Sequence, residues 1–345
     1  MERRLRIAYL MEDTDLSGGV RVQVHQADAM IERGHEVTIV TRGLPIDWIR
    51  SRAEWIHAGE FSEIDAGRFD FVIGTFWPTV RSAFELAGKR ALHLCQGYEG
   101  SFKAYESKRA EIEATYRLPI PKLVVSPALI PLLEKFESEV IHIGQIVDDS
   151  FYRSPPATEH VPLRVLLPGA SQIDIKGIDD GYGAAVHARW RGADFQLVRV
   201  SPWRPSESEP ISEHVQEFHV ALSAERMTSL MHSCDILLAP NHREEGFGLP
   251  AAEAMASGLA VVMTRIPSFL RFDDRHDYAL FADERDAVQL GERLYELLMD
   301  EDLRRRTRRR GRDVAEQFRS HHVAERLESH LLERAEALER GRTSG

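Results

Sequence analysis

Residues 245–258 read Glu-Gly-Phe-Gly-Leu-Pro-Ala-Ala-Glu-Ala-Met-Ala-Ser-Gly, and this stretch is the most informative part of the chain. Two carboxylates, Glu245 and Glu253, flank a Gly-Phe-Gly turn, and Pro250 predicts the beginning of a short apolar helix. The first turn of a helix leaves backbone N–H groups free, and such groups attract phosphate. Acceptors for hydroxyls beside donors for phosphate predict a ligand that is part sugar and part phosphate.

Composition limits the kind of protein. A chain of 345 residues exceeds what one hydrophobic core usually serves, so we expect two domains. No apolar run reaches the roughly 18 residues of a membrane-spanning helix, and the apolar run after the first residues is too short for a secretory signal. The net charge of −11 argues against broad nucleic-acid binding. Cys95 and Cys234 lie in apolar runs, as buried reduced thiols do, and a cytoplasmic setting is expected.

Short apolar runs alternate with helical patterns twice along the chain, which predicts an α/β fold with two parallel sheets. The first series of strands is predicted at 6–11, 36–40, 69–76, 91–96, 122–126 and 139–143, and the second at 163–167, 194–200, 217–221, 235–239 and 260–264. The segment 148–162 contains prolines and polar residues, and we interpret it as the hinge. The chain past 284 has a helical pattern with an apolar stripe over 327–338.

The loop 12–21 follows the first predicted strand and leads into the first helix. Its paired glycines, Gly18 and Gly19, would let helix N–H groups approach a phosphate, although a tight strand-to-helix turn is an open alternative. Asp13 and Asp15 imitate a metal-binding pair. Because loop aspartates usually form turns or caps, we predict no metal there.

The loop 168–177 has the corresponding position in the second half. Lys176 would supply a point charge for a phosphate leaving group, while an ordinary surface lysine is the alternative. Open parallel sheets bind ligands beyond the carboxyl ends of their strands, and this position therefore favours the phosphate contact.

The carboxylate pair with seven intervening residues resembles the signature of retaining GT-B glycosyltransferases of family four, which include bacterial mannosyl-, glucosyl- and rhamnosyltransferases. Segments 17–19, 141–148 and 217–241 resemble that family's glycine loop and its approaches to the hinge and the carboxylate motif. The resemblance covers nearly the whole chain. It implies a GT-B architecture in which two Rossmann-like domains face each other across a cleft and a C-terminal helix crosses back to the first domain.

The resemblance assigns 1–150 to an acceptor-side domain, 151–315 to a nucleotide-sugar donor domain and 316–345 to the returning helix. It implies a retaining hexosyl- or deoxyhexosyltransferase of glycan or glycoconjugate biosynthesis that uses a nucleotide-diphosphate sugar and needs neither a metal nor another cofactor. The acceptor would be a glycan, a lipid-linked molecule or a small molecule with a hydroxyl. The oligomeric state stays open.

Site roles are carried over by the same resemblance. Glu245 would contact hydroxyls of the donor sugar, Glu253 would hold the ribose, and Lys176 would stabilise the departing diphosphate. The implied catalytic residues are Glu245, Lys176 and Gln96. The implied donor-binding residues are Gly18, Gly19, Glu253, Gly246, Phe247, Gly248, Leu249, Gly169 and Arg199. The residues expected on the acceptor side are Trp77, Tyr98 and Glu99, with core packing as the alternative for the aromatic rings.

One departure from the family pattern concerns the phosphates. Ala170 follows Gly169 where the family usually has an arginine, and we expect Arg199 or Arg204, from nearby loops, to replace it. Loss of a charge-assisted hydrogen bond that no other group replaces would cost about 1.5–3 kcal/mol. The alternative function is therefore a sugar-nucleotide-binding subunit with little or no turnover, and a sugar-nucleotide epimerase on the same fold ranks below both.

A second departure lies after the fourth predicted strand, where many members carry a histidine and this chain has Gln96. We expect Gln96 near the sugar, with His93 and Glu99 as competing candidates. Farther along, 304–312 contains seven arginines in nine residues. Anionic lipid at the inner face of the membrane would explain such a run, but a solvated helix is the favoured interpretation because charge runs are usually solvated.

Overall fold

The structure is a computed structural model that describes residues 3–44, 46, 48–152, 160–207, 209 and 214–343. The chain divides into two compact units. The first unit comprises Met1–Ile146 and Ser320–Gly345, and the second comprises Val147–Arg319. Part of the predicted hinge, 153–159, lies outside the described residues.

The first unit is built on a seven-stranded parallel sheet of order β3-β2-β1-β4-β5-β6-β7. Its strands are Arg6–Met11 (β1), Glu36–Thr41 (β2), Glu54–His57 (β3), Phe71–Gly74 (β4), Ala91–Cys95 (β5), Lys122–Val124 (β6) and Val140–His142 (β7). Its helices are Gly18–Glu32 (α1), Trp77–Ala87 (α2), Arg109–Tyr116 (α3), Ile130–Leu133 (α4) and, from the end of the chain, Ser320–Thr343, numbered α11 below.

The second unit is built on a six-stranded parallel sheet of order β10-β9-β8-β11-β12-β13. Its strands are Leu163–Pro168 (β8), Phe195–Ser201 (β9), Glu217–Val220 (β10), Ile236–Ala239 (β11), Ala260–Thr264 (β12) and Leu280–Ala282 (β13). Its helices are Ile178–Trp190 (α5), Ala224–His232 (α6), Leu249–Ala256 (α7), Pro267–Leu270 (α8), Ala287–Met299 (α9) and Glu301–Ala315 (α10). The predicted α/β fold with two Rossmann-like domains is confirmed.

Each core lies where helices cover a sheet. In the first unit Leu10 and Val72 of the sheet pack with Val80 of α2. In the second unit Leu167 packs with Ala185 of α5 and Leu294 of α9. Apolar side chains stand on both faces of these central strands, as expected for parallel sheets covered by helices on both sides.

The C-terminal helix α11 packs against α1 within the first unit. Its apolar stripe is buried at Leu327, Leu331 and Ala335. Glu328, one turn from Leu331, accepts from His35 Nε2 at 2.9 Å and also pairs with Arg33. This carboxylate therefore ties α11 to the segment that follows α1.

Candidate functional site

Both sheets reverse their strand order at one point, and the candidate residues follow the strands that meet there. In the second sheet the reversal lies between β8 and β11, and the loops after these strands carry Lys176 and Glu245. In the first sheet it lies between β1 and β4. A crevice forms at such a point because the two connections leave in opposite directions, and ligands of open parallel sheets bind in it.

Lys176 and Glu245 meet although 69 positions separate them in the chain. Lys176 Nζ donates to Glu245 Oε2 at 2.6 Å, and Asn241 Nδ2 donates to the same oxygen at 2.7 Å. The two ionic side chains are 25% and 12% exposed. This partial shielding strengthens the pair relative to one in open water, because the local dielectric is lower. Sequence reasoning gave Asn241 no role, and only the fold shows its contact with Glu245.

The backbone around Lys176 is fixed by close packing between the two loops. Gly177 has φ +60°, and a Cβ there would lie 2.0 Å from the carbonyl oxygen of Pro240. His242 N donates to the carbonyl of Ile175 at 2.9 Å, and His242 Nε2 lies 2.9 Å from Asp180 Oδ2. The loop that carries Lys176 therefore rests directly on the loop that leads to Glu245.

The predicted helix after the Gly-Phe-Gly turn is present as α7, which begins at Leu249, one residue before Pro250. Gly248 precedes it with φ +85°, and a Cβ there would lie 2.1 Å from the Phe269 ring. The Phe247 ring is buried against Phe272 and Phe318, with centroids 5.1 and 5.2 Å away. Phe247 can therefore offer a ligand its backbone N–H but not its ring.

Glu253, the second carboxylate of the motif, lies on α7 and is 1% exposed. Gly246 lies in the turn before α7 and is also buried. The side chain of Glu253 has almost no contact with solvent, and its contact with a ribose hydroxyl stays a prediction. The structure thus places Glu245 at the surface of the loop and Glu253 behind it.

Arg199 is part of β9, within the strand predicted at 194–200, and is fully buried, so the expectation that it lies in a loop was wrong. Its guanidinium pairs with Glu209 at 2.7 Å and donates to the carbonyl oxygens of Leu167 and Gly169. Its donors are thus used inside the protein, next to the strand end where a phosphate contact was expected. The Arg199 guanidinium and the Ser171 hydroxyl hold the pKa of Glu209 below its usual value, against the effect of burial.

Ala170 is buried beside Gly169, which has φ +127°. Arg204, the other expected replacement, lies in the loop after β9 and is exposed. Its carbonyl accepts from Gln172 Nε2 at 2.9 Å, so the Arg204 backbone lies beside the loop of Gly169 and Lys176. Of the two arginines, only Arg204 has a guanidinium open to solvent.

In the first unit the glycine loop and Gln96 come together. Ser17 caps α1 by accepting from Val20 N at 3.2 Å, and Gly18 and Gly19 form the first turn. Gln96 Nε2 donates to the carbonyl oxygen of Gly19 at 3.3 Å. The amide of Gln96 is therefore held at the helix beginning that the sequence marked as a phosphate contact.

The segment after β5 is hydrogen-bonded to a buried tyrosine. Tyr116 Oη lies 3.1 Å from the carbonyl oxygen of Gly97 and is also hydrogen-bonded to Glu99. Burial raises the pKa of Glu99 to about 7. A tyrosine has one hydroxyl hydrogen, so both contacts are satisfied together when Glu99 is protonated and donates to Tyr116. Glu99 is 8% exposed, and it supports the loop from inside.

Tyr98 is placed differently from the expectation. It is 8% exposed, and its ring packs against Tyr116 and Phe136 with centroids 5.3 and 5.8 Å away. Its hydroxyl donates to Glu113 at 3.2 Å. The ring offers no free face for stacking with an acceptor, and the acceptor-side assignment of Tyr98 is corrected on that ground.

His93, the other residue considered there, is fully buried in β5, and burial lowers its pKa to about 3. Its ring contacts that of Tyr116 at 4.7 Å, and neither ring nitrogen has a hydrogen-bond partner among the described residues. Cys95, two residues on, is also buried and free, as is Cys234 in the second unit. These groups belong to the core beneath the loop.

We expect Glu99→Gln to reveal the buried carboxyl through the pH dependence of stability. The pKa of Glu99 is about 7 when folded and near 4.5 when unfolded, so the folded state binds more protons between these values and loses stability as pH rises through that window. Glutamine mimics the protonated carboxyl. Relative to wild type, the variant should gain on the order of 3 kcal/mol of unfolding free energy between pH 4 and pH 8.

Urea denaturation of both proteins at several pH values measures this difference. Comparing variant with wild type cancels His93, whose lowered pKa has the opposite effect on stability. A difference that does not change with pH would show that Glu99 is ionised like an exposed carboxyl.

A cavity of about 450 Å³ lies in the second unit, and its lining includes the two residues that precede Glu245 in the chain. It is lined by Arg243, Glu244, Arg265, Asp283, Glu284 and Arg285. Arg243 pairs with Glu284 at 2.9 Å, and Arg285 Nη2 lies 3.3 Å from Asp174. The sequence gave no signal for this cavity, because its lining comes from the ends of β11, β12 and β13 and β13 itself was not predicted.

The arginine run lies on α10, and several of its guanidinium groups bind other parts of the second unit. Arg304 is buried and donates to the Leu297 carbonyl at 2.6 Å. Arg308 and Arg310 pair with Asp235 and Asp273 at 3.2 and 2.5 Å. These charges stabilise the unit, which leaves a lipid-binding interpretation less support than the sequence alone gave it.

Two features are absent from the part of the chain that the structure describes. No helix is long and apolar enough to cross a membrane. No group of three or more His, Cys, Asp or Glu side chains that could hold a metal ion was found. Asp13 and Asp15 take part in a local turn, in which Asp15 N donates to Asp13 Oδ1 at 3.2 Å.

Comparison with known proteins adds to this geometry. Residues 205–314 match the family model "Glycosyl transferases group 1". The uncharacterized glycosyltransferase MJ1178 of Methanocaldococcus jannaschii is 30% identical over 96 residues, which are 28% of this chain and 27% of that protein. The MMP alpha-(1->4)-mannosyltransferase of Mycolicibacterium hassiacum is 28% identical over 165 residues, which are 45% of this chain and 39% of that protein. Each match thus spans well under half of the relative.

The structural likeness extends over both units. The crystal structure of Anabaena Alr3699/HepE in complex with UDP and glucose has a TM-score of 0.74 and covers 95% of this chain and 99% of its own, at 12% identity. At that identity the likeness establishes the fold alone. The family match lies within the second unit, so residues 205–314 are the part of this chain that matches a glycosyltransferase group 1 domain.

Proposed function

We propose that this chain is a metal-independent, retaining glycosyltransferase that moves a sugar from a nucleotide-diphosphate sugar to a hydroxyl acceptor. The observation that carries the proposal is the contact of Lys176 with Glu245 where the strand order of the second sheet reverses. The pair sets a donor of positive charge beside an acceptor for hydroxyls. A protein of the same fold, Anabaena Alr3699/HepE, was crystallised with UDP-glucose, a ligand of this chemical class.

Lys176 would act on the leaving group. As the bond between the anomeric carbon and the phosphate oxygen breaks, positive charge develops on the sugar ring and negative charge on the diphosphate. An ammonium has three N–H donors, and Glu245 takes one of them, which leaves two for phosphate oxygens. Prepositioned donors of this kind are each worth about a hundredfold or more in rate.

Glu245 would position the sugar. Its Oε2 atom accepts hydrogen bonds from Lys176 and Asn241. Its Oε1 atom would accept a hydrogen bond from a hydroxyl of the donor sugar. Its orientation is fixed from two sides, so little side-chain entropy is lost when a hydroxyl binds.

Retention follows if the new bond to the acceptor oxygen forms on the face from which the diphosphate departs. The acceptor's proton then passes to a diphosphate oxygen, so the reaction needs no strongly basic side chain to remove it. Gln96, which is not a base, fits such a reaction as a hydrogen-bonding residue. Its role and those of Gly18 and Gly19 stay predictions.

The test is a panel of UDP-, GDP-, ADP- and dTDP-sugars added to the purified protein. At least one member should raise Tm, since a ligand that binds the native state stabilises it by mass action. The same member should be hydrolysed slowly, with release of the sugar in the donor's anomeric configuration by NMR, and EDTA should leave the rate unchanged. An inverted product would overturn retention, and loss of activity in EDTA would overturn metal independence.

A sugar-nucleotide-binding subunit without useful turnover is the second candidate, because Ala170 supplies no guanidinium and Arg199 is occupied by Glu209. The same panel separates the two. A raised Tm with neither hydrolysis nor transfer would favour the binding subunit, whereas measurable hydrolysis would favour the enzyme.

A further inference from the structure

Four aromatic side chains from two segments of the first unit meet beyond the carboxyl ends of its strands. We name Phe76, Trp77, Phe102 and Tyr105 the aromatic shelf. The Phe76 ring lies 5.9 Å from that of Trp77 and 6.0 Å from that of Tyr105, and the Phe102 and Tyr105 rings are 6.2 Å apart. All four side chains are partly buried. They are therefore neither closed core nor isolated surface rings, and part of each remains open to contact.

The shelf lies beside the point where the strand order of the first sheet reverses. Phe76 follows β4, a neighbour of β1 on one side and β5 on the other, and Phe102 lies in the segment that follows β5. Burial raises the pKa of Tyr105, and the charges of Glu99 and of Asp13, which lies in the loop after β1, add to this effect. Three neighbouring strand ends thus border one surface.

Electrostatics favours an uncharged occupant. Glu99 is buried beneath the loop and hydrogen-bonded to Tyr116, so the exposed carboxylate that acts on the Tyr105 hydroxyl is that of Asp13. Arg42, the cation near the same loop, is paired with Glu12 and Glu60. Lys103 is exposed within the shelf's own segment and is the group that would attract an anion. One exposed carboxylate and one exposed ammonium give a phosphate no net positive charge to bind, whereas a neutral ligand can donate a hydroxyl to the carboxylate.

The rings favour a flat occupant with one apolar face. The C–H face of a pyranose or a cyclic polyol stacks on aromatic rings, while its edge carries hydroxyls for carboxylates and N–H groups. Trp77 Nε1 is buried and has no hydrogen-bond partner among the described residues. A small rotation of the indole towards a ligand hydroxyl would give this N–H the bond that it lacks.

We propose that the aromatic shelf binds the acceptor and that the acceptor is a neutral hydroxylated ring, not a phosphorylated sugar or an acyl chain. That the ligand is an acceptor rests on the proposed function, but its binding at the shelf can be tested without a donor.

The experiment is saturation-transfer NMR on the full chain with methyl α-D-glucopyranoside, myo-inositol, glucose 6-phosphate and octanol as separate probes. At least one neutral ring should receive saturation, strongest at the C–H protons of one face. The double variant Phe76→Leu/Tyr105→Leu should weaken its binding about tenfold or more, since two stacking contacts are lost. Trp203→Leu is the matched control, because Trp203 is an exposed aromatic of the second unit and should have no effect.

Trp77→Phe keeps a ring and removes only the N–H, so it tests the shelf even if the double variant folds poorly. This variant should weaken binding of the neutral ring by a smaller factor than the double variant does. The inference is overturned if no neutral ring binds, if binding is unchanged in both variants, or if glucose 6-phosphate or octanol binds more tightly than the rings. Lys103→Ala, on the present inference, leaves neutral-ring binding intact.

UDP and GDP are added to the same samples and Tm is recorded. Failure of every nucleotide and nucleotide sugar to raise Tm would contradict the proposed function, whatever the NMR result. If a nucleotide raises Tm but no neutral ring receives saturation, only the inference about the aromatic shelf is contradicted.

Discussion

Lys176→Ala is expected to lower kcat about 100- to 1,000-fold, because it removes the positive charge that faces the departing diphosphate. KM for the nucleotide sugar should change much less, since the charge on the leaving oxygen is larger in the transition state than in the ground state. Initial rates at several donor concentrations separate the two quantities. An unchanged kcat would remove Lys176 from the mechanism.

The loss of stability in this variant should be modest. Glu245 keeps its bond from Asn241 and loses only Lys176, which costs about 1–3 kcal/mol for a partly buried carboxylate. Urea denaturation checks this value and shows that the assay contains folded protein. Lys108→Ala is the matched control: Lys108 also pairs with a glutamate, Glu111 at 3.3 Å, but lies exposed on the first unit. Its removal should leave both kcat and stability nearly unchanged.

Gly177→Ala is expected to lower the free energy of unfolding by about 3 kcal/mol or more. Two costs add up: the left-handed backbone at φ +60°, and a Cβ placed 2.0 Å from the Pro240 carbonyl oxygen. The clash is with backbone, so the two loops themselves must separate. Because these loops carry Lys176 and Asn241, activity should fall together with stability.

Gly192→Ala is the control for the backbone alone. Gly192 follows the other end of α5 and has φ +97°, but its added Cβ would meet no described atom within 4 Å. It should cost about 1 kcal/mol and leave kcat intact. Urea denaturation of the two variants side by side measures the clash. Equal costs would mean that the Pro240 loop moves away freely.

The central strands could be predicted from the sequence because a strand buried on both faces must be continuously apolar. Predictions at 6–11, 163–167 and 260–264 agree with the structure to within a residue. The edge strands β3 and β13 were missed. Glu54–His57 is partly exposed and pairs only with β2, and Leu280–Ala282 has three residues. For these two strands, hydrogen bonding to one neighbour makes the strand and the local sequence carries little of that information, whereas the edge strands β7 and β10 were predicted.

Some of the candidate site was also predictable. The helix beginnings at 18 and 249, the glycine turns and the two loops after β1 and β8 follow from local rules on glycine, proline and capping. Arg199 shows the limit of such rules. Its strand extends to Ser201, and only the pairing of β9 with β8 and β10 shows that the guanidinium lies inside.

By itself the sequence determined the α/β class, the two sheets and the carboxylate motif, since hydrophobic period and turn chemistry act over a few residues. The tertiary structure alone decided which distant residues meet: Lys176 with Glu245, Gln96 with the carbonyl of Gly19, and Phe76 with Tyr105. It also decided which charged groups are buried, such as Glu99 and Arg199. These outcomes depend on strand order and loop packing, which bring together residues whose separation along the chain no local pattern records.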